Sequence, residues 1–170
     1  LTEFSLESWI NFDDFFIFTD MENNDKRFIK ITDRDDYHSN AIKCILGFRY
    51  MFEKHENFDF YVFIDNDTYL NVKNLEKFLK NKNPKELKAY GSILNTWVDK
   101  SLYYLSGGAG IVLTNNTMEK LYNVMEKNED LFNCTKIEHP PVIYDYSDVT
   151  LGFHMKNIEV ELINSDLFHS

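Results

Sequence analysis

Short apolar runs alternate with amphipathic segments along most of this chain. The runs are rich in β-branched and aromatic residues and predict strands over residues 15–18, 28–31, 61–64, 89–94, 103–105, 111–114 and 160–163. Apolar residues at helical spacing predict helices over residues 40–53, 71–80, 116–127 and 149–155, and residues 6–9 are typical of a helix end. Strands that alternate with helices predict an α/β fold with a mostly parallel central sheet flanked by helices.

The run at 61–64 is the most informative of these strands, because two carboxylates follow it directly. Its uninterrupted apolar sequence predicts a strand buried on both faces. Asp65 and Asp67 then lie at its carboxyl end, where open α/β sheets bind ligands. A divalent cation that holds a diphosphate would offset these carboxylates, which indicates a metal site for a nucleotide-sugar. The alternative is that Asp65 and Asp67 cap the next helix or shape a turn.

Length and charge limit the possible function classes. The 170 residues fit one domain, 1–170, and the net charge of −10 disfavours a nucleic-acid partner. No apolar run reaches the length of a membrane span.

The two cysteines, Cys44 and Cys134, are expected to be buried thiols, although they could pair in an oxidising compartment. Asn115 and Asn133 lie in glycosylation patterns, which are weak evidence for secretion.

Three further features carry candidate chemistry, each with a plainer alternative. Asp148 begins a predicted helix, so it is either a general base at the mouth of a cleft or a carboxylate that the helix dipole favours. His169 is either a Mn²⁺ ligand or an exposed side chain. The glycine-rich turn at 106–110 borders a ligand or is structural, and it lacks the pattern of a P-loop.

Seven stretches in register resemble the Fringe-type β-1,3-glycosyltransferases, the broader family that includes the core 1 galactosyltransferases. The most specific are the GGAG turn and the terminal Phe-His, and the others include an FIFTD strand and a D-x-D metal motif. The matching stretches are residues 6–9, 16–20, 38–44, 63–69, 106–110, 147–152 and 168–170.

The resemblance implies a GT-A type, Rossmann-like domain that uses a UDP-sugar donor and Mn²⁺. By matching positions it makes Asp67 and His169 metal ligands and Asp148 the catalytic base. It also implies an inverting transfer to a hydroxyl of a glycan or glycoprotein acceptor, with formation of a β-1,3 linkage. The family is usually found in the Golgi or secretory lumen, and a cytosolic microbial or viral setting stays open. The donor-binding positions that the resemblance implies are Thr19, Asp20, Asp65, Asn66, Asp67, Gly107 and Gly108.

Two departures from the family pattern affect these expectations. Asn66 replaces the middle acid of the metal motif, and Ser147 stands where Fringe has an acid before the base. The resemblance also implies family segments on both sides of residues 1–170, so we expect a trimmed catalytic domain. The rival hypotheses are a catalytically inactive carbohydrate- or nucleotide-binding module of the same fold and a metal-dependent phospho- or nucleotidyltransferase.

Overall fold

The computed structural model describes residue 8 and residues 15–34, 36, 39–96, 100–127 and 146–169, with the backbone alone for residues 125–127. Several sequence features fall outside these residues. They are the expected helix end at 6–9 apart from Ser8, the second cysteine Cys134, and the glycosylation pattern at Asn133.

The strands are β1 Ile17–Thr19, β2 Phe28–Lys30, β3 Phe60–Phe63, β4 Lys88–Gly91, β5 Ile93–Asn95, β6 Tyr103–Leu105, β7 Ile111–Thr114 and β8 Glu161–Asn164. The helices are α1 Ser39–His55, α2 Val72–Leu79, α3 Asn115–Lys127 and α4 Ser147–Asn157. The predicted strands and helices are confirmed, except that the run at 89–94 divides at Ser92 into two strands. None of the helices in the described residues is both long and apolar enough to cross a membrane.

The central sheet is mixed, so the prediction of a mostly parallel sheet is only partly confirmed: β3, β4 and β8 run in one direction, and β7 runs opposite to them. Its four strands lie in the order β3-β7-β4-β8, and β7 is antiparallel to both of its neighbours. Within this sheet only β4 and β8 are parallel neighbours, and β1 and β2 form a separate parallel pair. The physical reason is the connection from β4 to β7, which passes through the antiparallel β5–β6 pair instead of a crossover helix.

Helix α1 packs against the sheet through one buried stripe and orients two strands. Phe16 and Phe58 both contact the ring of His55, with centroid distances of 4.9 and 5.2 Å. Phe63 contacts Phe48, nearer the start of the helix, at 5.7 Å. β3 therefore runs opposite to α1. The pairing of Asp20 with Lys43 gives β1 the same direction, so both strands end at the edge where α1 begins.

An open cleft of about 740 Å³ lies between β1 and β3, with walls from α1 and α2. It corrects the expectation that the strand at 61–64 is buried on both faces. Tyr61 is 4% exposed, but Val62 is 37% exposed. The reason is that β3 is an edge strand of the four-stranded sheet and borders the cleft.

The glycosylation pattern at Asn115 has a structural use in the fold. The Asn115 side-chain amide donates hydrogen bonds to the carbonyl oxygens of Glu56 and Phe58, at 2.8 and 2.7 Å. The Thr117 side chain of the same pattern is fully buried. Because a glycan on Asn115 would remove these contacts, the pattern is better explained by the packing of α3 than by secretion.

Candidate functional site

The two carboxylates after β3 lie in a tight turn at the wall of the cleft. The Thr68 backbone N–H donates to the Asp65 carbonyl at 3.1 Å, which closes the turn. Helix α2 is capped instead by Asn71, whose side chain accepts from the Asn74 N–H at 3.1 Å. Neither Asp65 nor Asp67 is therefore the cap of α2, although Asp65 does lie in a turn, and both residues also line the cleft.

The glycine-rich turn lies against this carboxyl end of β3. Gly110 donates to the Gly107 carbonyl at 2.9 Å and has a φ of +89°, a conformation that glycine adopts without strain. A Cβ on Gly110 would lie 3.3 Å from Ile64 Cγ2, so the turn packs closely on β3. The Thr68 hydroxyl donates to the Gly108 carbonyl at 3.2 Å, which ties the two turns together.

Asp148 is held in the first turn of α4 by two backbone groups. Its Oδ1 accepts from the Val149 N–H at 2.8 Å, and its Oδ2 accepts from the Gly107 N–H at 3.1 Å. The helix begins earlier than the sequence indicates, with Tyr146 as an N-cap residue that makes no side-chain cap bond. The contact with Gly107 therefore aims the Asp148 carboxylate at the glycine-rich turn.

The absence of a side chain at Gly107 leaves a space that two carboxylates border. A Cβ built there would lie 3.6 Å from Asp65 Oδ2 and 3.7 Å from Asp148 Oδ2. Asp65 and Asp148 are 83 residues apart in the sequence, and the fold brings their carboxylates together beside Gly107. Gly107 is buried and Gly108 is exposed, so the glycine-rich turn reaches the protein surface directly after this space.

The electrostatic environment of Asp65 opposes its negative charge. Burial raises the pKa of the Asp65 carboxyl above its usual value, and the nearby carboxylates of Asp67 and Asp148 raise it further. Burial also raises the pKa of the Tyr104 hydroxyl, to which Asp148 adds a smaller effect in the same direction. The site therefore concentrates negative charge in a partly desolvated place, which favours a cationic ligand.

We expect Asp65→Asn to raise the stability of the ligand-free protein at neutral pH. A carboxyl whose folded pKa is raised binds its proton more tightly in the folded state, so the free energy of unfolding falls as pH rises through that range. Asparagine does not ionise, so the variant does not lose this free energy of unfolding as pH rises. Thermal unfolding with EDTA should show the gain at pH 7 and little gain near pH 3.5, just below the ordinary pKa of an aspartate. A lower melting temperature at pH 7 would contradict the unfavourable environment of Asp65.

The donor set fits a hard divalent cation in its chemistry. The oxygens of Asp65 and Asp67 are the type of ligand that such cations prefer, and a cation would offset their repulsion. The exposed Asn66 also lines the cleft and can offer an amide oxygen. Within the described residues no three His, Cys, Asp or Glu side chains form a metal-binding group. Divalent cations in proteins commonly complete their ligand set with water or substrate phosphate.

His169 follows an anchored residue but is itself exposed. Phe168 packs against Phe78 at a centroid distance of 5.9 Å, and its ring lies 3.8 Å from the Cβ position of Gly110. The terminal segment therefore reaches the glycine-rich turn. The His169 side chain is exposed and joins no three-residue metal group in the part of the chain that the structure describes. Its role as a Mn²⁺ ligand stays a prediction.

Thr19 and Asp20 end β1 at the same edge of the fold. The Thr19 hydroxyl oxygen accepts from the Met21 N–H at 3.2 Å. Asp20 pairs with Lys43 of α1 at 3.2 Å, and Lys43, not Asp20, is among the side chains that line the cleft. Lys43 lies in the stretch 38–44 that resembles the family, but it is not among the site residues predicted from the sequence. The available signal was a basic residue between Ala41 and Cys44 of the buried helical stripe.

Comparisons with known proteins identify the family of this chain. The family model described as galactosyltransferase matches residues 17–102, about half of the chain. The Beta-1,3-galactosyltransferase brn of Drosophila melanogaster is 40% identical over 45 residues, which span 26% of this chain and 14% of that protein. The family match contains Asp65 and Asp67, whereas Gly107, Asp148 and His169 lie beyond it. The chain belongs to the galactosyltransferase family, and its similarity is to β-1,3-galactosyltransferases.

Proposed function

We propose that this chain is the catalytic domain, of GT-A type, of an inverting, metal-dependent glycosyltransferase. It would move a sugar, galactose by analogy with its relatives, from a UDP-sugar to a hydroxyl acceptor and form a β-1,3 linkage. The observation that carries the proposal is the convergence of Asp65 and Asp148 on Gly107, with both carboxylates within 4 Å of the position of its missing Cβ. One acid belongs to the donor motif and the other is suited to act on the acceptor.

Asp148 is the group that would take the proton of the acceptor hydroxyl. The Val149 and Gly107 N–H groups each bind one of its two oxygens, which fixes the carboxylate without neutralising its charge. A carboxylate oxygen has a further lone pair, so Asp148 can also accept the hydrogen bond of a hydroxyl. Removal of that proton as the oxygen attacks the sugar from the face opposite the departing UDP inverts the anomeric configuration.

Asp65 and Asp67 would bind the donor end of the site. A bound Mn²⁺ would supply Lewis-acid stabilisation of the charge that develops on the departing diphosphate. The raised pKa of Asp65 fits this role, because a bound cation would offset both the burial of this carboxylate and its repulsion by Asp67 and Asp148. Asn66 leaves the motif with two acids, and its exposed side chain borders the same cleft.

The partners and compartment follow from the same proposal. A glycosyltransferase of this family takes a UDP-sugar donor and a glycan or glycoprotein acceptor, and we propose the Golgi or secretory lumen as its location. The Asn115 pattern does not count toward that location, because its amide is used in the fold.

We expect Asp67→Ala to abolish the Mn²⁺-dependent part of UDP binding. The variant removes an exposed carboxylate that lines the cleft, so the free energy of unfolding should change little. Calorimetric titration with UDP in Mn²⁺ and in EDTA measures the effect. A loss of about tenfold or more in affinity in Mn²⁺, with no further loss in EDTA, is the expected result.

Glu119→Ala supplies the control, since Glu119 is an exposed acid of α3. It should bind UDP as the wild type does. Wild-type protein that binds no UDP in Mn²⁺, and transfers or hydrolyses none of a panel of UDP-sugars, would refute the proposed function. UDP binding without transfer or hydrolysis would favour the inactive binding module instead.

A further inference from the structure

A largely buried ion pair joins the end of β1 to the beginning of α1. The Lys43 ammonium lies 3.2 Å from Asp20 Oδ1, and the two side chains are 17% and 16% exposed. The pKa of the Asp20 carboxyl lies below its usual value because it accepts from its own backbone N–H and, next, from Lys43. The Asp20 carboxyl therefore carries its negative charge at neutral pH. Such pairs seldom add to stability, because desolvation offsets the attraction.

The position of Lys43 gives this pair a use at the site. Lys43 is the only basic side chain among the described residues that line the cleft, where Asp65 and Asp67 supply carboxylates. Because α1 runs opposite to β1 and β3, its first turns lie at the edge where both strands end. Asp20 accepts a hydrogen bond from this ammonium and is not part of the cleft lining.

The chemistry of the ammonium selects a class of ligand. Lysine has three N–H donors and no acceptor, and Asp20 uses one donor. A cleft with several carboxylates, on a chain of net charge −10, repels an anionic donor unless local positive charge offsets them. Oxygens of a diphosphate match a lysine ammonium in charge and in hydrogen bonding.

We propose that Lys43 binds the diphosphate of the nucleotide-sugar donor and that Asp20 is the residue that positions Lys43. This inference rests on the proposed function, because it assigns a subsite to the same donor. It also changes the expectation for Asp20, which was assigned to donor binding directly. In this arrangement Asp20 acts through Lys43 and touches no part of the donor.

The test compares UDP with uridine, which lacks the phosphates. We expect Lys43→Met to weaken UDP binding by about tenfold or more and to leave uridine binding within about twofold of wild type. Lys43→Arg keeps the positive charge and should recover part of the affinity for UDP. Lys120→Met on the exposed side of α3 is the matched control and should change neither ligand.

A second comparison separates ligand binding from a structural role of the ion pair. Lys43→Met leaves the Asp20 carboxylate without its ammonium partner, which can destabilise the fold. The double variant with Asp20→Asn removes both charges and should regain thermal stability without regaining UDP affinity. Recovery of UDP affinity in the double variant would overturn the inference. Asp20→Asn alone should weaken UDP binding less than Lys43→Met does.

The failure of this inference is distinguishable from failure of the proposed function. Wild-type protein without UDP affinity in Mn²⁺ refutes both. If Lys43→Met binds UDP as tightly as the wild type does, the role of Lys43 is overturned and the proposed donor stays in place. The same holds if the variant loses equal affinity for UDP and for uridine. Calorimetric titration of each variant, at matched temperature and ionic strength, reads out all of these outcomes.

Discussion

Asp148→Asn should reduce the turnover number for sugar transfer by about 10²–10⁴-fold and leave UDP affinity within about twofold of wild type. The amide has nearly the size of the carboxylate but cannot accept the proton of an acceptor hydroxyl. The donor end of the site, at Asp65 and Asp67, keeps its charges. Initial rates at saturating UDP-sugar, with UDP titrations in Mn²⁺, separate the two effects.

The amide substitution has a structural cost that the experiment must account for. Both Asp148 oxygens accept backbone hydrogen bonds, so the NH₂ group of asparagine will face an N–H donor of Gly107 or Val149. We therefore expect a lower melting temperature as well. Asp148→Glu retains a carboxylate on a longer side chain and should recover some activity if a base is required. A near wild-type rate for Asp148→Asn would show that another group takes the proton.

The strands and helices were predictable because their signals are local. The apolar run before Asp65 and the stripe of Ala41, Ile45 and Phe48 each identify one element without knowledge of its partners. The direction of each strand in the sheet, in contrast, has no local signal in the sequence. Alternating elements predict parallel strands, but the short β5–β6 pair returns the chain so that β7 pairs antiparallel between β3 and β4.

The features of the site also divide into those that local sequence predicts and those that depend on long-range packing. Asp65 and Asp67 follow a recognisable strand, and Asp148 begins a recognisable helix, so the sequence identifies them as candidates. Their convergence on Gly107 depends on how α4 packs against the β6 segment, which no spacing in the sequence shows. Lys43 was missed for a related reason, because its partner Asp20 is 23 positions away.

The packing of α4 connects the stability of the fold to the position of Asp148. Gly152 lies one turn after Asp148 on this helix and faces β6. A Cβ at Gly152 would overlap with Tyr104 Cβ and would lie 3.0 Å from Tyr104 Cα. Glycine is therefore required there by the close approach of the helix to the strand, although it is a poor helix former.

Gly152→Ala should lower the free energy of unfolding by about 2 kcal/mol and the melting temperature by about 4–8 °C. Alanine gains about 1 kcal/mol in helix propensity, but overpacking against a strand backbone costs up to about 3 kcal/mol, since no rotamer of a methyl group relieves it. The clash moves α4 away from β6 and carries Asp148 away from the Gly107 N–H, so transfer should fall more than UDP binding does.

Gly108→Ala is the matched control for Gly152→Ala, because a Cβ at Gly108 would meet no atom within 4 Å. Its melting temperature should stay within about 2 °C of wild type, which corresponds to less than about 1 kcal/mol. Differential scanning calorimetry of both variants measures the contrast. Equal stability of Gly152→Ala and wild type would mean that α4 can shift from β6 at no cost. The contact between Gly107 and Asp148 would then be too compliant to hold a catalytic base.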